Sequence, residues 1–212
     1  MNAYFRSCFF VQSVLIFVGM PLLFWGLGSL PERSLLKESI SVLTILAFFQ
    51  VVGQFYLSRV NGSAVKELKL SRLVSLHSVI GYTAVTLLLV HPFLLVVPRF
   101  FEAGVAPVEA WTTIVTTWTS QGVVLGIIAW CLMLILGSTS FLRKKLPMKY
   151  TTWRVVHGVL SLLFVFSAAW HVIDLGRHAT LAMSVFITIL TAGGVLLLLR
   201  TYSSKTKKVE VN

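Results

Sequence analysis

Four histidines form two pairs that have the same spacing. His77 and His91 lie fourteen residues apart, and so do His157 and His171. Fourteen residues of α-helix fall about 40° short of four full turns and rise about 21 Å, so the two members of a pair lie on one helix face. A neutral imidazole is a common metal ligand. The spacing therefore predicts possible ligands in two layers, at two depths of a helical structure.

The helices that must position these histidines are predicted to cross a membrane. The chain is 57% hydrophobic and 12% charged, which is too apolar for a soluble domain. Apolar runs of about 20 residues recur, the length that spans a hydrocarbon core, and lipid accommodates helices because their backbone hydrogen bonds are internal. We predict an all-α, six-helix integral membrane bundle forming a single domain over residues 1–212, with spans at about 8–30, 38–58, 72–98, 120–142, 151–173 and 179–200.

The basic residues indicate how the spans are oriented. The net charge is +11, with 18 lysines and arginines. Four of them fall on one side of a six-span chain (Arg33, Lys37, Arg99 and Arg177), and the other fourteen fall on the opposite side. Because basic residues stay in the cytoplasm, we predict a multi-pass protein of the inner cell membrane with both termini cytoplasmic. The positive charge then reflects membrane orientation, so nucleic-acid binding is not expected.

This orientation matches the histidines across spans three and five. Both spans start at the cytoplasmic side, so His77 and His157 form an inner pair, and His91 and His171 form an outer pair. Facing imidazoles on neighbouring helices can bind a haem iron from both sides. We therefore predict haem sites between helices three and five, with two b-type haems expected and one possible.

Other interpretations of the histidines remain open. A single histidine in a span is often a hydrogen-bonded packing residue. A metal without porphyrin is a poorer fit, because each layer offers two imidazoles and no carboxylate. Gly81 and Gly158 lie near the inner pair, where they would permit close approach of a flat macrocycle or of another helix. Gly122 and Gly126, spaced as G-x-x-x-G, are interpreted as helix-packing residues.

The motif W-R-V-V-H-G around His157, together with the paired spacing on spans three and five, resembles the ferric reductase-like transmembrane domain. That family includes the NADPH oxidases, the iron reductases and the haem-binding subunit of the bacterial methionine sulfoxide reductase system. The resemblance covers nearly the whole chain. It implies that His77 and His157 bind the inner haem iron and that His91 and His171 bind the outer one. Arg154, near His157, would pair with a haem propionate or anchor the cytoplasmic end of span five.

The resemblance implies a membrane b-type cytochrome that carries electrons from a cytoplasmic flavoprotein or quinol to an external acceptor. The chain ends twelve residues past the predicted span six and has no G-x-G-x-x-G fingerprint, so we expect the donor to be a separate flavin reductase or dehydrogenase subunit, or quinol. The alternative is a haem-bearing membrane anchor subunit of a larger respiratory or reductase complex. A transporter is less favoured, because the predicted spans lack an acidic relay.

The fifth histidine, His178, lies in D-L-G-R-H between spans five and six. Together with Asp174 and Arg177 it could form a docking or acceptor site above the outer layer. The alternative is an ordinary polar turn that tolerates any hydrophilic residue.

Overall fold

The structure is a computed structural model that describes residues 8–28, 30–58 and 61–209, with side chains as far as Arg200. Within those residues, six helices are long and apolar enough to cross a membrane, which confirms the predicted all-α class. These spans one to six are Cys8–Leu27, Leu35–Tyr56, Leu70–Ala103, Gln121–Phe141, Tyr150–Leu175 and Leu181–Arg200. The last helix continues to Val209. Arg6 and Arg59, which enter the charge distribution above, lie outside the described residues.

Span three is longer than the sequence predicts. It runs as Leu70–Leu94, turns at Leu95 and continues as Val96–Ala103. Pro92 lies inside the first part. Proline has no N–H, so it weakens the helix one residue after His91 without ending it. The extension carries the chain beyond the expected boundary at residue 98.

Short helices and side-chain caps order the connections. Two short helices lie between spans, Gly62–Leu68 before span three and Pro107–Thr116 before span four. Ser34 and Ser120 cap spans two and four, because their side chains accept hydrogen bonds from backbone N–H groups of the first turn. Such caps satisfy donors that have no partner inside the helix.

Spans two to six form a ring in which each span packs on the next and span six returns to span two, while span one packs against spans two and six. Spans three and five are therefore separated by span four and face each other across the ring. One apolar core joins the spans through residues such as Phe49, Met133, Val165 and Ile187. Two cross-span hydrogen bonds reinforce it, from Tyr56 Oη to the carbonyl of Leu190 at 2.8 Å and from Trp130 Nε1 to the carbonyl of Leu89 at 3.0 Å.

Candidate functional site

The structure brings the histidines together in the pairs that the sequence predicts. All four imidazoles are half-buried on spans three and five. His91 lies within electrostatic range of His171, and His157 lies within electrostatic range of His77. Each imidazole of span three is therefore brought near one imidazole of span five, and the two pairs lie at different heights along the bundle.

His171 is held against span four. Its Nδ1 lies 2.8 Å from the backbone carbonyl oxygen of Gly122. A carbonyl can only accept, so Nδ1 must carry the proton and donate it. The lone pair of Nε2 is then free, which is the state in which a histidine coordinates a metal.

His157 is held by side chains. Its Nδ1 lies 3.3 Å from Ser140 Oγ on span four, and its ring stacks on the indole of Trp153, with centroids 5.0 Å apart and an interplanar angle of 28°. Trp153 Nε1 in turn donates to the carbonyl oxygen of Thr139 at 3.3 Å. Span four thus contacts both histidines of span five, although it carries none of the four.

The two histidines of span three are different. Nδ1 of His77 and Nδ1 of His91 are buried and make no hydrogen bond to the described part of the chain. The ring of His77 lies beside the backbone of Gln54 and Leu57. Most buried polar atoms in proteins are hydrogen-bonded, so these two nitrogens need an explanation, and a bound group is one that fits their position.

The donor set fits a haem. Each layer supplies two imidazoles, and the described residues contain no cluster of three or more His, Cys, Asp or Glu side chains suited to a metal ion alone. A porphyrin itself provides four nitrogen ligands, so two imidazoles from the protein would complete the six-coordinate state of a haem iron. The Nδ1 contact of His171 agrees with this, because it leaves the Nε2 lone pair available. The Ser140 hydroxyl can accept from His157 Nδ1 and so allow the same arrangement in the inner pair.

A column of stacked groups leads from the inner pair to the end of the bundle. The rings of Tyr150 and Trp153 stack with centroids 6.0 Å apart and an interplanar angle of 15°. The guanidinium carbon of Arg143 lies 4.2 Å from the Tyr150 centroid and 5.1 Å from the Trp153 centroid, and that of Arg154 lies 6.0 Å from the Tyr150 centroid. The contacts run unbroken from exposed Arg143 to His157.

His178 lies inside the protein and not on an exposed turn. Only 7% of the residue is exposed, and its Nε2 lies 3.0 Å from Glu38 Oε2 on span two. The same carboxylate accepts from Trp25 Nε1 at 3.2 Å, and Arg177 Nε lies 3.7 Å from its other oxygen. His178 is therefore not an accessible docking residue, and it does not lie in a turn that tolerates any hydrophilic residue. Burial lowers the pKa of His178, against the opposing effect of Glu38.

Some of these residues could have been found from the sequence, and others could not. Trp153 lies four residues before His157, the spacing of neighbours on one helix face. Ser140 and Glu38 carried no such signal, because their partners lie on other spans. The spacing of Gly122 and Gly126 predicted packing, and spans four and five do pack closely. Their contact with His171 was not predicted.

A family model described as the ferric reductase like transmembrane component matches residues 43–168. The chain belongs to this family. The matched range contains His77, His91 and His157 and ends shortly before His171. Membership suggests a membrane electron-transfer component.

A protein of Archaeoglobus fulgidus is similar to this chain. It is 40% identical over 168 residues, which cover 79% of this chain and 91% of the relative, and its description is "Uncharacterized protein". No solved structure matches the chain.

Proposed function

We propose that this member of the ferric reductase-like family is a b-type cytochrome with two haems. His77 and His157 bind the inner one, and His91 and His171 bind the outer one. The observation that carries this proposal is the meeting of the four imidazoles in two matched pairs across the ring. When bound, each haem supplies an iron that gains and loses one electron.

The protein's own part is to hold and orient the ligands. The carbonyl of Gly122 and the hydroxyl of Ser140 each face an Nδ1 on span five, which favours coordination through Nε2 in both layers. With both histidines of a pair on one iron, the protein would leave no coordination position open for a substrate. An acceptor would then be reduced at the cofactor edge and would not bind to iron.

Electrons are proposed to enter at the inner end and to leave at the outer end. The stacked rings of Tyr150 and Trp153 provide contact between the end of the bundle and His157. Arg143 and Arg154 lie beside the Tyr150 ring. They give this end a positive charge that suits an anionic flavoprotein surface or, for Arg154, a haem propionate. The donor is a cytoplasmic flavoprotein or quinol, and the acceptor lies on the opposite side of the membrane.

The decisive experiment is purification in detergent, followed by a pyridine haemochrome assay and reduced-minus-oxidised spectra. We expect two low-spin b haems per chain. Absence of haem from a folded, purified chain would rule out the proposal. A ratio near one would restrict it to a single layer, which single-histidine variants would identify.

The proposed direction of transfer depends on orientation, which has its own test. A reporter that is active only outside the cytoplasm, fused after Asn212, should be silent, because fourteen of the eighteen basic residues lie on the side of the termini. A reporter fused within the 104–106 connection should be active. The reverse result would place the Tyr150–Trp153 stack outside the cytoplasm and would invert the direction of transfer.

A further inference from the structure

Span four passes directly beneath the imidazole of His171. A Cβ atom added to Gly126 would lie 2.5 Å from His171 Nδ1 and 2.7 Å from its Cε1, closer than non-bonded atoms approach. The ring therefore occupies the space that any other residue at position 126 would fill. The carbonyl that His171 contacts belongs to Gly122, one helical turn earlier on the same face.

The hydrogen bond from His171 to the Gly122 carbonyl depends on the close approach of the His171 ring to Gly126. The carbonyl oxygen of Gly122 points along the helix toward residue 126, and it has two lone pairs, so it can serve the helix and the imidazole together. The ring reaches this oxygen sideways only because nothing projects from position 126. A methyl group there would push the ring outward and lengthen the 2.8 Å contact.

We propose that Gly126 is a positioning residue for the outer haem ligand. It lets the ring of His171 lie against span four, where the Gly122 carbonyl holds the Nδ1 proton and keeps Nε2 available for iron. This inference rests on the proposed function, since it assigns a role within the outer haem layer. The alternative role of Gly126 is to allow close packing of spans four and five. In that case a larger residue at position 126 would be harmful even when the ring of His171 is absent.

The experiment compares Gly126→Ala with Gly137→Ala on the same helix. A Cβ at Gly137 would meet only Val85 Cγ1, at 3.4 Å, so that variant is the matched control. Haem content and the midpoint potential of each haem are measured by redox titration in detergent. We expect Gly126→Ala to lose the outer haem or shift its potential upward, because a weaker Nδ1 hydrogen bond makes the imidazole a poorer donor to ferric iron. The inner haem should stay unchanged, and Gly137→Ala should keep both haems.

A double variant distinguishes positioning from packing. In His171→Ala the ring is absent. Adding Gly126→Ala to that variant should therefore cause no further decrease in protein yield, in thermal midpoint or in the content of the inner haem. This comparison remains informative if Gly126→Ala alone fails to accumulate, because removing the ring should then restore the protein. The inference is overturned if Gly126→Ala keeps the outer haem at its wild-type potential, or if it is as harmful without His171 as with it. Failure of the proposed function itself would appear separately, as absence of haem from the wild-type chain, and the thermal midpoints would still test the contact.

Discussion

The two histidines of span five are held in different ways. Nδ1 of His171 faces a backbone carbonyl at 2.8 Å, whereas Nδ1 of His157 faces a serine hydroxyl at 3.3 Å and its ring stacks on Trp153. A carbonyl accepts only, but a hydroxyl can donate or accept. The main chain therefore fixes the protonation of the outer imidazole, while replaceable side chains support the inner one. Single side-chain substitutions at Ser140 or Trp153 should therefore change the properties of the inner layer in small steps. The outer layer should change only when a substitution in span four alters the position of the Gly122 carbonyl relative to His171.

The largest effect should come from removing a ligand. His77→Ala and His157→Ala should each lower the haem content from two to one per chain and should leave the same residual spectrum, because they are proposed to share the inner haem. His91→Ala and His171→Ala should share the other spectrum. The measurement is a redox titration of each purified variant. Identical spectra for His77→Ala and His91→Ala would contradict the pairing and, with it, the comparison between layers.

Removing the aromatic stack should affect the inner layer alone. We expect Trp153→Leu to slow reduction of the inner haem by about tenfold, equivalent to about 1.4 kcal/mol in activation free energy, because it interrupts the contacts between Tyr150 and His157. Stopped-flow reduction by a reduced flavoprotein would measure this. Trp153→Phe should restore much of the rate.

Phe141→Leu is a suitable control for this experiment. Phe141 is an aromatic residue at the same end of the bundle and is 78% exposed. Equal slowing in Phe141→Leu and Trp153→Leu would mean that the stack has no particular part in electron uptake.

A smaller effect should follow from Ser140→Ala. Coordination of iron through Nε2 would make the Ser140 hydroxyl the acceptor for the Nδ1 proton of His157. Its loss should then weaken binding of the inner haem about tenfold and raise its midpoint potential. The outer haem should be unaffected. Ser167→Ala on span five provides the control, because its hydroxyl donates to the carbonyl of Leu163 in its own helix. A shift in the outer potential in Ser140→Ala would show that the two layers are not held independently.

The smallest effect concerns pH and the contact between His178 and Glu38, which lies on the side of the outer layer. Burial lowers the pKa of His178, so the unfolded chain binds a proton more readily than the folded one. The contribution of His178 to stability is then complete above the unfolded pKa of about 6.5 and is lost as the pH falls toward the folded value. Glu38 favours the protonated form, whereas Arg177 and Arg33 oppose it.

The thermal midpoint, followed from pH 7.5 to 5, should therefore fall further for the wild type than for His178→Gln. The other four histidines are common to both proteins, so the difference isolates His178. Parallel curves would mean that His178 does not titrate in this range, and a steeper fall in the variant would contradict the sign. Both haems should be retained in His178→Gln, since His178 is not proposed as a ligand.

The spans and the placement of two histidines on each of spans three and five were predictable because they depend on local properties, namely hydropathy and the 3.6-residue helical period. The six spans are confirmed, with boundaries shifted by a few residues and a longer third span. Haem binding by the four histidines stays a prediction. What the sequence did not reveal is which atom the Nδ1 of His157 and of His171 faces, because Ser140 and Gly122 lie on span four, which carries none of the four histidines. The burial of His178 was missed for a similar reason, since it depends on contacts with Trp25 and Glu38 from the first two spans.

The division of the four histidines between spans three and five has a consequence for biogenesis. A chain that enters the membrane from its N-terminus presents His77 and His91 before span five has been made. Neither pair exists at that stage, and Ser140 and Gly122 of span four still lack the imidazoles that they contact in the folded protein. If the histidines bind haem as proposed, cofactor capture must therefore follow insertion of span five. The contact of His178 with Glu38 forms next and joins the connection between spans five and six to span two. This late contact can form only if span two was inserted correctly at the start.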